Sequence, residues 1–142
     1  MSDDPFDLNR FVDAQTAVYE TAVAEIREGR KRSHWMWFIF PQLAGLGSSP
    51  TARHFAIRSR AEAEAYLRHS LLGPRLLACA NATLDVADRT AHDIFGHPDD
   101  MKLRSSATLF AAVSESDSVF HRLIARYFGT PDERTLDLLS HP

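Results

Sequence analysis

Polar residues flank the most hydrophobic segment of the chain, and their types could bind an anion. Residues 35–40 read WMWFIF, with Lys31 and His34 before them and Gln42 behind. A lysine can neutralise an anionic ligand, a histidine can act as a general acid or base, and Trp35 can stack on a ring. Polar groups beside a buried segment must be paired or must face a cavity. The segment is interpreted either as a core helix without chemistry or as a core whose polar edges line a pocket.

The motif DDMKLRSSATLF, residues 99–110, holds a second set of candidates. On a helix that turns by about 100° per residue, Ser106 lies within an apolar face, Lys102 one turn before it and Ser105 beside it. Two successive serines are unusual where only packing matters, because serine competes for its own backbone. Two interpretations of the serines remain. Their hydroxyls donate to the carbonyl four residues earlier, or they donate to an anionic or nucleotide ligand whose charge Lys102 neutralises. A catalytic pair is disfavoured, because the lysine precedes the serine, the reverse of S-x-x-K enzymes.

Gln15 is the third candidate, because it interrupts the apolar stripe of the first predicted helix. A buried amide has several donors and acceptors to satisfy. It either ties helices together through backbone groups or contacts a ligand in a pocket. The seven histidines show no H-x-x-x-H or Cys/His spacing, so the sequence predicts no metal site and no cofactor.

Helices are predicted to position these candidates, because the spacing of apolar residues along the chain is that of helices. Apolar residues spaced by three and four predict one long helix over residues 7–28, ended by Gly29. Residues 34–42 favour a short helix capped by Ser33 and limited by Pro41 over a strand. Later helix starts are marked by Ser49, Ser59, Thr90, Asp117 and Thr130. Sustained alternation typical of strands is absent.

The sequence therefore predicts an all-α fold without a significant sheet. We expect a compact single-domain bundle of about seven to nine mostly short helices. A chain of 142 residues has the usual size of one domain. The helical domain is expected over residues 7–139, with terminal tails at residues 1–6 and 140–142.

Composition narrows the classes of partner. Sixteen Lys and Arg against nineteen Asp and Glu give a net charge of -3, which disfavours nucleic acid and anionic lipid. The longest apolar run is far shorter than the roughly 20 residues that span a bilayer, so no membrane contact is expected. The N-terminus lacks the segments of a secretory signal, and the single Cys79 excludes an intramolecular disulfide framework. We expect a cytoplasmic protein.

Several blocks of the sequence are distinctive. The most specific are HWMWFIFPQ (34–42) and KLRSSATLF (102–110), with RFVDAQ (10–15), EAEAYL (62–67), GPRL (73–76) and IFG (94–96) beside them. They resemble the bacterial domain-of-unknown-function family eighteen-ten, some of whose members carry the label calpastatin. The family usually has Met at the position of Ala107. The resemblance implies a compact, mainly α-helical domain without an established activity. The calpastatin label does not fit, because calpastatin inhibits through disordered, charged repeats.

The three sets of candidates fall within the blocks that carry the resemblance. We therefore predict one shared pocket formed by Gln15, Lys31, His34, Trp35, Gln42, Lys102, Ser105 and Ser106. The predicted function is binding of a small anionic or nucleotide-like metabolite, with hydrolysis through His34 left open. The alternative is an interaction module without catalysis that docks a protein partner through exposed Trp35, Trp37 and Phe40.

Overall fold

Helices account for the regular structure of residues 4–140. The computed structural model describes residues 4–140, so residues 1–3 and 141–142 of the predicted tails lie outside the described part. In chain order the helices are α1 (Asn9–Thr16), α2 (Tyr19–Glu28), α3 (Met36–Ile39), α4 (Pro50–His54), α5 (Arg60–Arg68), α6 (Leu72–Asp85), α7 (Ala91–Phe95), α8 (Asp99–Ala112), α9 (Val119–Tyr127) and α10 (Glu133–Ser140). None of them is long and apolar enough to cross a membrane. The predicted all-α class is confirmed.

The prediction of one long first helix is wrong, because residues 7–28 contain two helices. α1 ends at Thr16 and α2 begins at Tyr19. The two halves have different neighbours, since α1 packs against α3 and α2 packs along α6. The chain turns between them at Val18, whose φ is −125°. The predicted end is confirmed, because Gly29 closes α2 in the left-handed conformation with φ 78°.

Capping residues mark several of the helix starts. Thr90 and Asp93 exchange the two hydrogen bonds of a capping box at α7, both 3.0 Å long. Ser49 caps α4, as predicted. At α9 the prediction is wrong by one residue, because Ser118 is the cap. Asp117 has φ 65° and so lacks the extended conformation that an N-cap needs.

The apolar segment at residues 35–40 lies mostly in the core. Trp35 and Phe40 are 0% and 2% exposed, and each meets the ring of Phe95 edge on. Trp37 and Phe38 are half-buried. Trp37 is therefore an aromatic residue of this segment that reaches the protein surface.

α8 holds the candidates Lys102, Ser105 and Ser106, and it runs from the protein surface into the core. It packs against α7, α9 and α10. Its residues 105–111 are buried, whereas Met101 is exposed and Lys102 is half-buried. Ala107 is 2% exposed, so the departure from the usual family residue lies in the core. The first turn of α8 is thus the part of this helix that can line a surface groove.

Candidate functional site

A groove with a volume of about 420 Å³ opens between the first turn of α8, the residues around the end of α3 and the start of α10. The side chains at its wall include Trp37, Gln42, Lys102, Ser105, Asp132 and Arg134. Three of the eight predicted site residues, namely Gln42, Lys102 and Ser105, therefore meet at one concave surface.

Two lysines share one carboxylate beside this groove. Lys102 Nζ lies 3.4 Å from Asp99 Oδ1, and Lys31 Nζ lies 2.9 Å from Asp99 Oδ2. The Lys31 side chain is 7% exposed, whereas that of Lys102 is 26% exposed. The three groups together retain a net positive charge, and Lys102 is the lysine that a ligand can reach. Lys31 is not among the residues that line the groove, and its ammonium contacts Asp99 and the carbonyl of Ser33.

Trp37 holds Lys102 from another side. The ammonium of Lys102 lies 4.9 Å from the centroid of the Trp37 ring, within the range of a cation–π interaction. Trp35, which the sequence analysis places in the pocket, is instead fully buried. The aromatic ring that borders the groove is therefore that of Trp37.

Ser105 is engaged in the protein's own hydrogen bonds. Its Oγ lies 3.2 Å from the carbonyl oxygen of Met101, four residues earlier, and 3.3 Å from Asp132 Oδ2. The same Asp132 oxygen accepts from the backbone N–H of Thr135 at 3.0 Å, so Asp132 caps α10, where the sequence suggested Thr130. The single proton of the Ser105 hydroxyl is shared between these two acceptors, so Ser105 adopts the predicted bond to the carbonyl four residues earlier and also contacts Asp132.

Gln42 lies at the base of the loop that forms the opposite wall. Its carbonyl oxygen accepts from the N–H of Ile57 at 2.8 Å, and the N–H of Ala44 donates to the Ile57 carbonyl at 2.7 Å. Further along, Arg134 Nη2 donates to the carbonyl of Gly45 at 3.3 Å. The loop is therefore anchored at Ile57 and at Arg134. The side-chain amide of Gln42 makes no hydrogen bond to residues 4–140. Sequence reasoning missed Arg134, because no local pattern brings it to this loop.

His34 and Ser106 do not line the groove. His34 is exposed and is not among the residues that line the groove. Ser106 is 1% exposed, and its hydroxyl has no hydrogen-bond partner in the described part of the chain. Among residues 4–140, no group of three or more His, Cys, Asp or Glu side chains is placed to hold a metal ion.

Gln15 joins α1 to its neighbours in the core. Its amide N–H groups donate to the carbonyl of Phe38 at 2.8 Å and to the hydroxyl of Tyr66 at 3.0 Å. Arg75 donates to its carbonyl oxygen at 3.4 Å. The side chain is 1% exposed, so the first of the two alternatives for Gln15 is the one that the structure shows.

Gln15→Leu is expected to lower the free energy of unfolding by about 2 kcal/mol, because the carbonyl of Phe38 and the hydroxyl of Tyr66 lose a buried partner. Urea unfolding measures the loss. Asn81→Leu is the control, since Asn81 is an exposed amide on α6 and the change there should stay within about 0.5 kcal/mol. Equal losses in the two variants would contradict a structural role for Gln15.

Glu25 is an important buried residue that the sequence analysis missed. Glu25 is 5% exposed. Its carboxylate accepts from the backbone N–H of Arg32 at 2.8 Å and of Ser33 at 3.0 Å, from the Ser33 hydroxyl, and from the indole N–H of Trp35 at 2.9 Å. Burial alone would raise its pKa, but these hydrogen bonds outweigh burial and lower the pKa to about 2. Ser33 therefore binds Glu25 instead of capping α3. The carboxylate fixes the turn that leads into α3, and hence Trp37.

The family relationship extends along nearly the whole chain. The family model described as "Protein of unknown function (DUF1810)" matches residues 5–139. The chain belongs to this family. The resemblance seen in the sequence is thereby confirmed, and the description of the DUF1810 family assigns no activity.

A solved structure is similar to this DUF1810 protein. It is the crystal structure of the conserved hypothetical protein Rv1873 from Mycobacterium tuberculosis, which shares 54% sequence identity. The match covers 98% of this chain and 100% of that chain, with a TM-score of 0.95. No curated protein matches the chain.

Proposed function

We propose that this protein binds a small anionic metabolite in the groove beside Lys102. The observation that supports the proposal is the placement of Lys102 at the groove wall, held by the Trp37 ring and by Asp99. An ammonium has three N–H donors, and one carboxylate oxygen at 3.4 Å does not occupy them all. Arg134 adds a second cation to the wall, and Gln42 adds an amide.

The groove suits a ligand of nucleotide or sugar phosphate size. Its volume of about 420 Å³ falls within the range of roughly 300–1,000 Å³ that ligand pockets have. Trp37 replaces Trp35 as the aromatic contact. Asp132 can accept a hydrogen bond from a hydroxyl or amino group of the ligand, because one of its two oxygens is used at the start of α10. A ligand with one anionic group and several hydroxyl or amino groups would therefore use the whole wall.

The proposed setting is the cytoplasm, where a lone thiol needs no disulfide partner. Cys79 is free and buried, and burial raises the pKa of its thiol to about 12. It therefore stays protonated and takes no part in the proposed binding.

Lys102→Gln is expected to weaken the binding of AMP and of fructose 6-phosphate about tenfold, because a charge-assisted hydrogen bond is lost. Isothermal titration calorimetry measures the dissociation constants. The fold should tolerate the change, since the ion pair with Asp99 is partly exposed and worth less than about 1 kcal/mol.

Arg68→Gln is the matched control for Lys102→Gln. Arg68 is an exposed cation on α5 that pairs with Glu64, away from the groove wall. Its loss changes the net charge equally but should leave the dissociation constants unchanged. The proposal fails if neither probe binds the wild-type protein, or if both variants bind the probes equally well.

A further inference from the structure

A second, smaller cavity adjoins the groove. Its volume is about 100 Å³, and its wall includes Arg53 and Arg58. The two cavities share four wall residues, Trp37, Gln42, Gly47 and Ala52. Because these residues border both spaces, the cavities are neighbours along the loop at residues 43–49, and the two together are called the cleft.

The shared wall of the cleft is closely packed. A Cβ atom added to Gly47 would lie 2.7 Å from the Cβ of Ala52, so the loop approaches α4 more closely than another residue would allow. The base of the loop is held by the hydrogen bonds to Ile57. The cleft is therefore formed before a ligand arrives, which reduces the entropy lost on binding.

Cationic side chains line both cavities of the cleft. The guanidinium groups of Arg53 and Arg58 are exposed, and neither makes a hydrogen bond or an ion pair with any residue from 4 to 140. Lys102 and Arg134 line the groove. Trp37 borders both cavities, and its ring lies 4.9 Å from the ammonium of Lys102.

We propose that the ligand carries two anionic groups on either side of an uncharged middle, as sugar bisphosphates and nucleoside bisphosphates do. One anionic group binds Lys102 and Arg134, and the other binds Arg53 and Arg58, whose guanidinium forks match phosphate oxygens. The middle of the ligand passes Trp37. This inference rests on the proposed function and extends it, because a ligand with one anionic group would leave the second pair of cations unused.

Two matched pairs of probes test the inference by calorimetry. Fructose 6-phosphate is compared with fructose 1,6-bisphosphate, and AMP with adenosine 3′,5′-bisphosphate. In the wild-type protein the bisphosphate of at least one pair should bind about tenfold more tightly than its monophosphate. The double variant Arg53→Gln/Arg58→Gln should remove this advantage and leave monophosphate affinity within about twofold. Arg68→Gln should retain the advantage.

The outcomes separate this inference from the proposed function. If the monophosphates bind through Lys102 but the second phosphate adds nothing, the two-ended ligand is wrong and the anion groove stands. The same conclusion follows if the double variant keeps the advantage of the bisphosphates. If no probe of either pair binds the wild-type protein, both proposals are wrong. Thermal unfolding checks that the double variant folds. The two arginine side chains that it replaces are exposed and without a partner among residues 4–140, so their loss should not affect folding.

Discussion

Glu25→Gln is expected to lower the free energy of unfolding at neutral pH by about 3 kcal/mol. Glu25 is 5% exposed, and its carboxylate accepts four hydrogen bonds from the turn between α2 and α3. Its pKa falls from an ordinary value of 4.5 to about 2, so the folded protein favours the ionised form. Gln has nearly the same shape but no charge, and its amide nitrogen would face donors. The loss is therefore that of a buried, hydrogen-bonded charge.

The contribution of Glu25 changes with pH in a defined direction. A carboxyl group whose pKa is lower in the folded state stabilises the fold above its unfolded pKa, and this stabilisation is lost as the pH falls through the folded pKa. For Glu25 the window runs from about pH 4.5 down to about 2. The stability difference between the wild-type protein and Glu25→Gln should shrink across this window. Urea unfolding at several pH values, followed by tryptophan fluorescence, measures the difference.

Glu28→Gln is the control for this experiment. Glu28 lies on the same helix, is 53% exposed and pairs with Arg32 at 2.7 Å. Exposed pairs of this spacing contribute little, so the variant should lose less than about 0.5 kcal/mol. If Glu25→Gln retains the acid dependence of the wild-type protein, the Glu25 carboxylate is not what holds the turn.

The helical class could be predicted because its signals are local. The start of α7 at Thr90 and the end of α2 at Gly29 depend on a few neighbouring residues, and both are found as predicted. The break between α1 and α2 could not be predicted in this way. The apolar period continues through residues 7–28, and what divides the helix is that its two halves pack against different helices.

The candidate site was predictable in its residue types and less so in its arrangement. Gln42, Lys102 and Ser105 do meet in one groove. Gln15 and Trp35 instead have their hydrogen-bond partners within the core. This could not be predicted, because the partners come from residues distant in the sequence or from a turn whose shape the sequence does not reveal. The same reason explains why Arg134 was missed. A polar residue on an apolar face signals that a partner exists, but the tertiary fold decides whether that partner is protein or ligand.

Arg10→Lys is expected to lower the free energy of unfolding by about 3 kcal/mol or more, although it conserves the charge. The ion pair between Arg10 and Glu62 is 2.7 Å long, with side chains 7% and 2% exposed. All five guanidinium N–H groups are used, at distances from 2.7 to 2.9 Å. Their acceptors are the Glu62 carboxylate and the carbonyls of Phe6, Asp7, His54 and Ala56.

A lysine cannot replace this arrangement, because an ammonium offers three donors from one point and no planar fork. At least two of the five acceptors around Arg10 would lose their partner, and the Glu62 carboxylate would stay buried with a poorer one. Arg68→Lys supplies the control, since Arg68 makes an exposed pair with Glu64 at 3.2 Å and should tolerate lysine within about 0.5 kcal/mol. Urea midpoints of the two variants give the comparison. Equal midpoints would mean that the charge of Arg10 matters and its geometry does not, whereas the five bonds predict that geometry dominates.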